Sequence, residues 1–231
     1  MKYAVYTATR NYYFDTIPSM KSLLANTHID KVYFLIEDDV FPYWLPDCVE
    51  VINVSDQKFF KNDSPNFTNP WTYMVLIRAA FSKILPVDKV LNLDADVFVL
   101  DDISELWDID MGDYYIAGAT EIAKKGFEQP YINFGVCMMN LAKLRDGTDD
   151  RIIHDLNTNY RFANEQDAFN LLCNKKLVIS SKYNANQYTA QCEAPKIVHY
   201  AGIGEAFPWS RVRWQDFYWA KEYRGRSWEI K

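Results

Sequence analysis

The chain as far as residue 100 alternates between short apolar runs and longer segments with helical periodicity. The runs are rich in Val, Ile, Tyr and Phe, which is typical of strands, and the longer segments repeat their apolar residues at the spacing of a helix face. The order strand, helix, strand, strand, helix, strand favours an α/β fold with a mostly parallel central sheet flanked by helices. The predicted strands are residues 2–8, 31–38, 48–54 and 89–100, and the predicted helices are residues 14–26 and 71–85.

The second half of the chain is less regular, but it continues with the same kinds of element. The predicted strands there are residues 113–119, 134–141 and 196–202, and the predicted helices are residues 144–161 and 164–174. The chain has 231 residues, 49% of them hydrophobic, which is enough for the core of one large domain. We therefore predict a single α/β domain.

Composition excludes several classes of protein. A formal net charge of −6 argues against a nucleic-acid-binding role, because that role requires a basic face. The four cysteines lie far apart and form no CxxC pair, so we expect buried, reduced thiols in a cytoplasmic protein. The apolar run near the first residue is too short and too polar for a signal peptide. No stretch reaches the roughly 18 apolar residues of a membrane span.

Asp94 and Asp96 stand two residues apart after the apolar start of the predicted strand at 89–100. Residues i and i+2 of a strand project to the same side, so we expect the two carboxylates to converge while Ala95 packs away. Two close carboxylates repel each other unless a positive charge lies between them, and their oxygens suit Mg²⁺ or Mn²⁺. The pattern predicts a divalent-metal site at the end of a strand. The structural alternative is a solvated turn.

The next acidic residues have a different explanation. Asp102 and Glu105 have the spacing of a capping box that opens a short helix. We therefore expect Asp101 and Asp102 to be structural.

An Asp-x-Asp pair alone fits more than one enzyme class. In phosphatases of the haloacid dehalogenase type the first Asp is a nucleophile, whereas in metal-dependent glycosyltransferases the pair holds the cation that bridges a nucleotide-sugar diphosphate. Such phosphatases usually carry the pair near the start of the chain, with an acidic pair far downstream. Here several predicted strands come before Asp94 and no convincing acidic pair follows, so a transferase is favoured.

Several segments, in the same order along the chain, resemble glycosyltransferase family 8, the retaining enzymes that include glycogenin and the bacterial lipooligosaccharide galactosyltransferases. The similar segments are residues 6–13, 77–107, 131–141, 164–170 and 199–202. The resemblance implies a single GT-A type domain with a Rossmann-like sheet over residues 1–231. Its parts would be a nucleotide-binding half (1–100), a metal, sugar and acceptor half (101–206), and an aromatic and basic tail (207–231).

The resemblance also implies a divalent metal and its ligands. Asp94 would contact the ribose and the metal, Asp96 would bind the metal, and His199 would supply a third ligand from a distant strand end. Without the family, a histidine after an apolar run is more often structural. An imidazole ligand favours Mn²⁺ slightly over Mg²⁺, which prefers oxygen ligands and water.

The donor that the resemblance implies is a UDP-sugar, with glucose or galactose as the sugar. The first turn would contact the uracil and ribose, Arg78 would take the place of the family's helix arginine, and Gly202 would let the backbone approach the phosphates. The donor-binding residues on this basis are Ala8, Thr9, Asn11, Tyr12, Arg78, Asp94, Asn133 and Gly202. Core packing is the alternative for one of the tyrosines at positions 12 and 13.

For the sugar, the resemblance points to Asn133, Gln166 and Asp167, with Gln166 and Asp167 as catalytic residues. An amide is a poor nucleophile, so we favour a front-side reaction through a short-lived oxocarbenium ion pair, supported by the dipole of Gln166. From the helix pattern alone, both would be ordinary polar residues at a helix start. The sequence departs from the family's Asp-Gln-Asp segment, because Glu165 replaces the first Asp.

A second departure follows residue 202. Bacterial members often carry a phosphate-binding lysine there, whereas this chain has Phe207 before Pro208, and Arg211 or Arg213 would have to replace that lysine. The tail 207–231 mixes aromatic and basic side chains. We favour packing of its rings on the domain. The alternative is contact with a membrane interface, and such contact would suit a lipid-linked acceptor.

The resemblance thus implies a metal-dependent retaining hexosyltransferase in the cytoplasm, peripheral to the inner face of the membrane if the tail binds there. Its partners would be a UDP-sugar donor and a glycan, lipid-linked or protein acceptor, with no nucleic acid. One alternative is the Mg²⁺-dependent phosphatase, which would form an aspartyl-phosphate at Asp94. The other is a degenerate carbohydrate-binding protein, supported only by the missing lysine.

Overall fold

The computed structural model of the protein describes residues 1–68, 72–122, 124, 130–159, 162 and 164–201. The strands are β1 (Tyr3–Thr7), β2 (Lys31–Ile36), β3 (Val49–Asn53), β4 (Lys89–Leu93), β5 (Val97–Val99), β6 (Ile116–Thr120), β7 (Ile132–Asn140), β8 (Lys176–Val178) and β9 (Ile197–His199). The α-helices are α1 (Tyr13–Asn26), α2 (Phe81–Ile84), α3 (Leu141–Leu144), α4 (Thr148–Thr158) and α5 (Glu165–Leu172). Short 3₁₀ helices span Arg10–Tyr12, Tyr73–Ala80, Ser104–Leu106 and Ser181–Tyr183.

The central sheet has seven strands in the order β3-β2-β1-β4-β7-β6-β8. β1 runs parallel to β2 and β4, β2 runs parallel to β3, and β6 runs parallel to β8, whereas β7 is antiparallel to both of its neighbours. The predicted α/β domain with a mostly parallel sheet is confirmed. Because β1, β2 and β4 end at the same edge of the sheet, the residues that follow them lie close together.

Apolar clusters cover both faces of the sheet, which explains why its strands are apolar on both sides. Val5 of β1 belongs to the cluster that includes side chains of α2, α4 and α5, whereas Ala4 and Tyr6 belong to the cluster that includes α1 and β5. This alternation is the two-residue period of a strand. Phe81 in the first cluster and Phe34 in the second are fully buried. Burial of each such side chain contributes about 1.5–3 kcal/mol to the free energy of folding.

Some predicted elements differ from the observed ones. The predicted helix at 71–85 is mostly 3₁₀ helix, followed by the single turn of α2. The predicted helix at 144–161 is interrupted, because Gly147 has a φ of +100° between α3 and α4, a conformation that glycine adopts without steric cost. Strand β8 was missed, since three residues are too few to display an alternating pattern.

The predicted capping box is wrong. The residue before the 3₁₀ helix is Ile103, and Asp102 accepts a hydrogen bond from the backbone N–H of Ser104 at 3.0 Å. Glu105 instead forms ion pairs with Lys182 at 3.2 Å and Lys196 at 3.0 Å. Two ammonium groups are stronger partners for a carboxylate than one backbone N–H at the start of a one-turn helix.

The cysteine prediction is confirmed in part. All four are free thiols, and Cys137 and Cys173 are buried, but Cys48 and Cys192 are only half-buried. No helix in the described ranges has both the length and the apolar character to cross a bilayer. Gly202 and the tail 207–231 lie outside the described residues, so the predictions made for them stay predictions.

Candidate active site

Asp94, Ala95 and Asp96 lie in the turn between β4 and β5, not within a strand as predicted. The turn is held by backbone hydrogen bonds at both ends. Asp94 donates its N–H to the carbonyl of Gly135 at 2.9 Å, and Asp96 accepts from the N–H of Tyr200 at 3.0 Å. The turn therefore lies between β7 and the end of β9.

His199 reaches the turn because β9 pairs with β5 in a separate two-stranded antiparallel sheet, with Val97 opposite His199. Its Nε2 lies 3.3 Å from Asp96 Oδ1 and 3.7 Å from Asp94 Oδ2. The ligand atoms of the three side chains all lie within 4.8 Å of one another. The imidazole is 4% exposed while the Asp96 side chain is 40% exposed, so the cluster has a buried base and an open side.

The electrostatics of the cluster show how strongly these groups interact. Burial alone would lower the pKa of His199, but the carboxylates of Asp96 and Asp94 outweigh it, and the pKa is raised. Burial likewise would raise the pKa of Asp96, yet its contact with His199 keeps the pKa below its ordinary value. Both shifts favour a protonated imidazole facing ionised carboxylates, and a bound cation would take the place of that proton.

The donor set fits a divalent cation. Two carboxylates and one imidazole, brought together at the carboxyl edge of a sheet, are ligands for Mn²⁺ or Mg²⁺. The imidazole adds nitrogen to an otherwise hard oxygen set, which suits Mn²⁺ better than Mg²⁺. Asp94, Asp96 and His199 are therefore the residues that would hold the metal.

Space for the imidazole depends on Gly135 in β7. A Cβ at this position would lie 1.9 Å from Cε1 and 2.3 Å from Nδ1 of His199. These distances are far inside van der Waals contact. Glycine at this position is therefore a requirement for the observed place of His199.

Arg78 anchors the other side of Asp94. It lies in the 3₁₀ helix Tyr73–Ala80 and donates hydrogen bonds to Asp94 Oδ1 and, at 2.8 Å, to Glu165 Oε1. Burial would lower the pKa of Arg78, but the two carboxylates outweigh it and raise the pKa. Burial raises the pKa of Glu165 to about 7 against the opposing effect of Arg78. Arg78 thus supplies the partner charge for the buried carboxylate of Glu165 and for one oxygen of the half-buried Asp94.

Replacing Arg78 with methionine is expected to lower the free energy of unfolding by about 3–5 kcal/mol, because it leaves two carboxylates without their cation. The loss should be smaller at pH 5 than at pH 8, since Glu165 without Arg78 takes up a proton more readily. Urea unfolding at both pH values measures this effect. The double variant Arg78→Met/Glu165→Gln should recover part of the loss, and an unchanged unfolding free energy in Arg78→Met would contradict the ion-pair interpretation.

A second group of polar side chains surrounds the end of β6 and the start of α5. Asn133 Nδ2 donates to Glu121 Oε1 at 2.8 Å, and Gln166 Nε2 donates to the same oxygen at 3.0 Å. The side-chain oxygen Oε1 of Gln166 accepts the backbone N–H of Phe134 at 2.8 Å, so this oxygen faces the backbone of β7. Sequence reasoning missed Glu121, although it directly follows β6, as Asp94 directly follows β4.

Asp167 lies in the first turn of α5 and is buried. Its Oδ1 accepts from the hydroxyl of Tyr131 at 2.5 Å, and its backbone N–H donates to the capping side chain of Asn164 at 3.3 Å. The hydroxyl of Tyr131 also accepts from Gln166 at 3.0 Å. Gln166 and Asp167 are thus joined through one tyrosine.

The predicted nucleotide-binding turn lies at the carboxyl end of β1, beside β4. Ala8 is buried, Thr9 is half-buried, and Asn11 and Tyr12 are exposed, with Tyr12 at 47%. Tyr13 is buried, so it is the tyrosine that packs in the core. Three of the predicted donor-binding residues in this turn are therefore open to solvent.

Arg10 is a further residue of this turn that was not predicted. Its guanidinium forms a bidentate ion pair with the carboxylate of Asp38, which follows β2, and the shortest distance is 2.7 Å. The backbone N–H of Arg10 donates to the carboxylate of Glu37 at 2.8 Å. The pair ties the turn after β1 to the turn after β2.

The glycosyltransferase GlyF of Streptococcus pneumoniae serotype 4 (strain ATCC BAA-334 / TIGR4) is 23% identical, over 98% of this chain and 62% of its own length. GlyE of the same strain is 25% identical, over 92% of this chain and 58% of its own length. The chain thus spans about three-fifths of these curated relatives.

Solved structures show the same fold. The galactosyltransferase LgtC, determined in complex with donor and acceptor sugar analogs, has a TM-score of 0.72 at 20% identity, covering 99% of this chain and 97% of LgtC. The structure of GlyE has a TM-score of 0.69 at 22% identity, covering 99% of this chain and 62% of GlyE. A sequence model of the family described as Glycosyl transferase family 8 matches residues 4–213, which is most of the chain. The chain therefore belongs to glycosyl transferase family 8.

Proposed function

We propose that this chain is a metal-dependent retaining hexosyltransferase that moves glucose or galactose from a UDP-sugar to a glycan, lipid-linked or protein acceptor. The observation that carries the proposal is the convergence of Asp94, Asp96 and His199 at the carboxyl edge of the sheet of a family 8 chain. Family membership also removes the support for the phosphatase alternative.

Asp94, Asp96 and His199 would hold Mn²⁺, or else Mg²⁺. When bound, the divalent cation supplies the positive charge that neutralises a diphosphate and the charge that develops on the leaving UDP. Arg78 keeps one oxygen of Asp94 in a fixed direction, which leaves the other oxygen facing His199. The protein's own contribution is thus a fixed set of ligands at an open edge.

The first turn would bind the nucleoside. Ala8 and Thr9 would contact the uracil and ribose with their backbone, and the exposed side chains of Asn11 and Tyr12 would complete the contact. The exposed ring of Tyr12 offers a face on which a base can stack. Gly202, outside the described residues, would admit the diphosphate.

For the sugar, Asn133, Gln166 and Asp167 remain the proposed residues, and the contacts add Glu121 to them. In a retaining front-side reaction, the bond from the anomeric carbon to the diphosphate oxygen would break, the acceptor oxygen would bond to the same face, and the acceptor hydroxyl would pass its proton to the departing diphosphate oxygen. Positive charge develops on the sugar during this step. The side-chain amides of Gln166 and Asn133 both donate to the carboxylate of Glu121 and hold it in place. This carboxylate would stabilise the positive charge on the sugar electrostatically.

The proposal predicts slow, metal-dependent hydrolysis of one donor without any acceptor. We expect purified protein to release UDP from UDP-glucose or UDP-galactose with Mn²⁺, and EDTA to lower the rate at least about tenfold. UDP-N-acetylglucosamine serves as a comparison donor. If no donor yields UDP, and UDP with Mn²⁺ does not raise the melting temperature, the proposed function is wrong.

A further inference from the structure

A buried chain of side-chain amides lies behind His199, on the side away from the two aspartates. Asn184, which has no solvent exposure, has its Oδ1 2.9 Å from His199 Nδ1. It follows the 3₁₀ helix Ser181–Tyr183, and the next residue, Ala185, accepts the backbone N–H of His199 at 3.0 Å. The segment around Asn184 thus contacts both the backbone and the side chain of the histidine.

The neighbours of Asn184 determine which way its amide points. Its Nδ2 donates to Asn133 Oδ1 at 2.8 Å, and that oxygen also accepts the N–H of Gly135 at 3.0 Å. Its Oδ1 accepts from Asn186 Nδ2 at 2.9 Å. If the amide were turned over, its NH₂ group would face the NH₂ of Asn186 and its oxygen would face the oxygen of Asn133. The observed direction is the one that satisfies every group.

This direction determines the tautomer of His199. Because Asn184 presents an oxygen to Nδ1, that nitrogen must carry a proton. In the neutral ring the lone pair is then on Nε2, which is the nitrogen 3.3 Å from Asp96. A histidine ligand whose other nitrogen donates to a fixed oxygen is oriented and made more basic.

The same amide also acts at its other end. Asn133, whose oxygen is occupied by Asn184 and Gly135, must direct its Nδ2 outward, where it donates to Glu121 at 2.8 Å. One side chain therefore connects the metal-binding histidine to the carboxylate on the proposed sugar side. The connection needs a hydrogen-bond donor and a hydrogen-bond acceptor on the same carbon of one buried side chain. Aspartate lacks the donor, and leucine lacks both.

We propose that Asn184 is a positioning residue with two roles: its oxygen holds His199 as the Nδ1–H tautomer with Nε2 directed at the metal site, and its NH₂ group directs Asn133 toward Glu121. This inference rests on the proposed function, in which His199 binds the metal and Asn133 and Glu121 face the sugar. Each role has its own measurement, because one concerns a metal and the other a sugar.

The first test measures Mn²⁺ affinity by calorimetry without any donor. Asn184→Leu should weaken Mn²⁺ binding about 10–100-fold, since it removes the oxygen that orients the histidine. Asn66→Leu is the matched control: Asn66 is also buried, but it donates to carbonyl groups of Leu156 and Asn159 near the end of α4. The control should bind Mn²⁺ as the unaltered protein does.

Asn184→Asp separates the two roles. It keeps an oxygen for His199 and should keep the Mn²⁺ affinity, but it cannot donate to Asn133. We therefore expect affinity for the UDP-hexose that is used as donor to fall about tenfold, while affinity for UDP stays unchanged. Equal losses for UDP and UDP-hexose, or a loss of Mn²⁺ affinity equal to that of Asn184→Leu, would overturn this assignment.

The tautomer can be measured without metal or donor. Long-range ¹H–¹⁵N spectra of the unaltered protein, at a pH where His199 is neutral, should show the proton on Nδ1; a proton on Nε2 would overturn the inference. A folded Asn184→Leu protein with unchanged Mn²⁺ affinity would overturn it as well. If the unaltered protein binds no Mn²⁺, the proposed function fails, and the spectra still decide the tautomer.

Discussion

Replacing Asp96 with alanine is expected to abolish Mn²⁺ binding and to lower kcat/KM for the donor at least about a thousandfold. Asp96 supplies a carboxylate oxygen 3.3 Å from His199 Nε2, and no other carboxylate of the described residues lies with Asp94 and His199 in a cluster of this kind. Its side chain is 40% exposed, so its removal should cost little folding stability. Calorimetry with Mn²⁺, UDP release and circular dichroism together measure the loss of binding, activity and structure.

Asp101→Ala provides the matched control for this result. Asp101 lies beyond the opposite end of β5 from Asp96, and its carboxylate is 68% exposed and lies 3.9 Å from Lys196, outside the cluster. Its removal should leave Mn²⁺ affinity and UDP release unchanged. If Asp96→Ala retains activity close to that of Asp101→Ala, the cluster is not the metal site and the mechanism must be sought elsewhere.

The sequence was sufficient to predict that the carboxylates of Asp94 and Asp96 lie close together, but not the backbone that brings them there. The expected strand with alternating side chains is a turn, held by hydrogen bonds to Gly135 and Tyr200. Those partners come from distant parts of the chain, and no local pattern indicates them. The pair of carboxylates still indicated a candidate ligand site at the edge of the sheet, where both residues lie. The end of a strand and the turn after it both lie at that edge, so the error in the backbone did not change the predicted location.

His199 was placed near the aspartates only by resemblance to a family. The contact depends on pairing between β5 and β9, two short strands far apart in the sequence. Three-residue strands carry too little periodicity to indicate their partner. Physical reasoning from local sequence alone left this histidine as a structural residue.

Asn184 could not be predicted for a different reason. It lies in a polar, irregular segment, where asparagine is typical of exposed turns. Its complete burial arises because the segment covers the histidine and Asn133, so its polar groups find partners in other buried side chains. Glu121 is intermediate: its position after a strand was visible, but its two amide partners belong to β7 and α5.

Replacing Gly135 with alanine is the second change with a large expected effect. The added Cβ would lie 1.9 Å from His199 Cε1, so the ring must move. It cannot move while keeping its contacts, because Asn184 holds Nδ1 and the β5–β9 pairing holds the backbone. A ligand displaced by about 1 Å costs about a hundredfold in rate. We expect Mn²⁺ affinity and UDP release both to fall by about that factor, measured by calorimetry and by donor hydrolysis.

Loss of activity could also follow from loss of folding stability, and Gly118→Ala is the control for that explanation. Gly118 lies in β6, where a Cβ would meet Cγ2 of Ile132 at 2.5 Å but no residue of the metal cluster. This variant should lower the melting temperature and leave Mn²⁺ affinity intact. If Gly118→Ala and Gly135→Ala lose Mn²⁺ affinity equally, the effect is general destabilisation and the steric argument fails.

A double-mutant cycle then determines whether His199 transmits the effect. In the His199→Ala background the ring is absent, so the Cβ of an added Gly135→Ala has nothing to displace there and should cost no further Mn²⁺ affinity. In the unaltered background the same change should cost about a hundredfold. Equal costs in the two backgrounds would mean that the clash acts through another group, and that His199 is not the ligand whose position Gly135 secures.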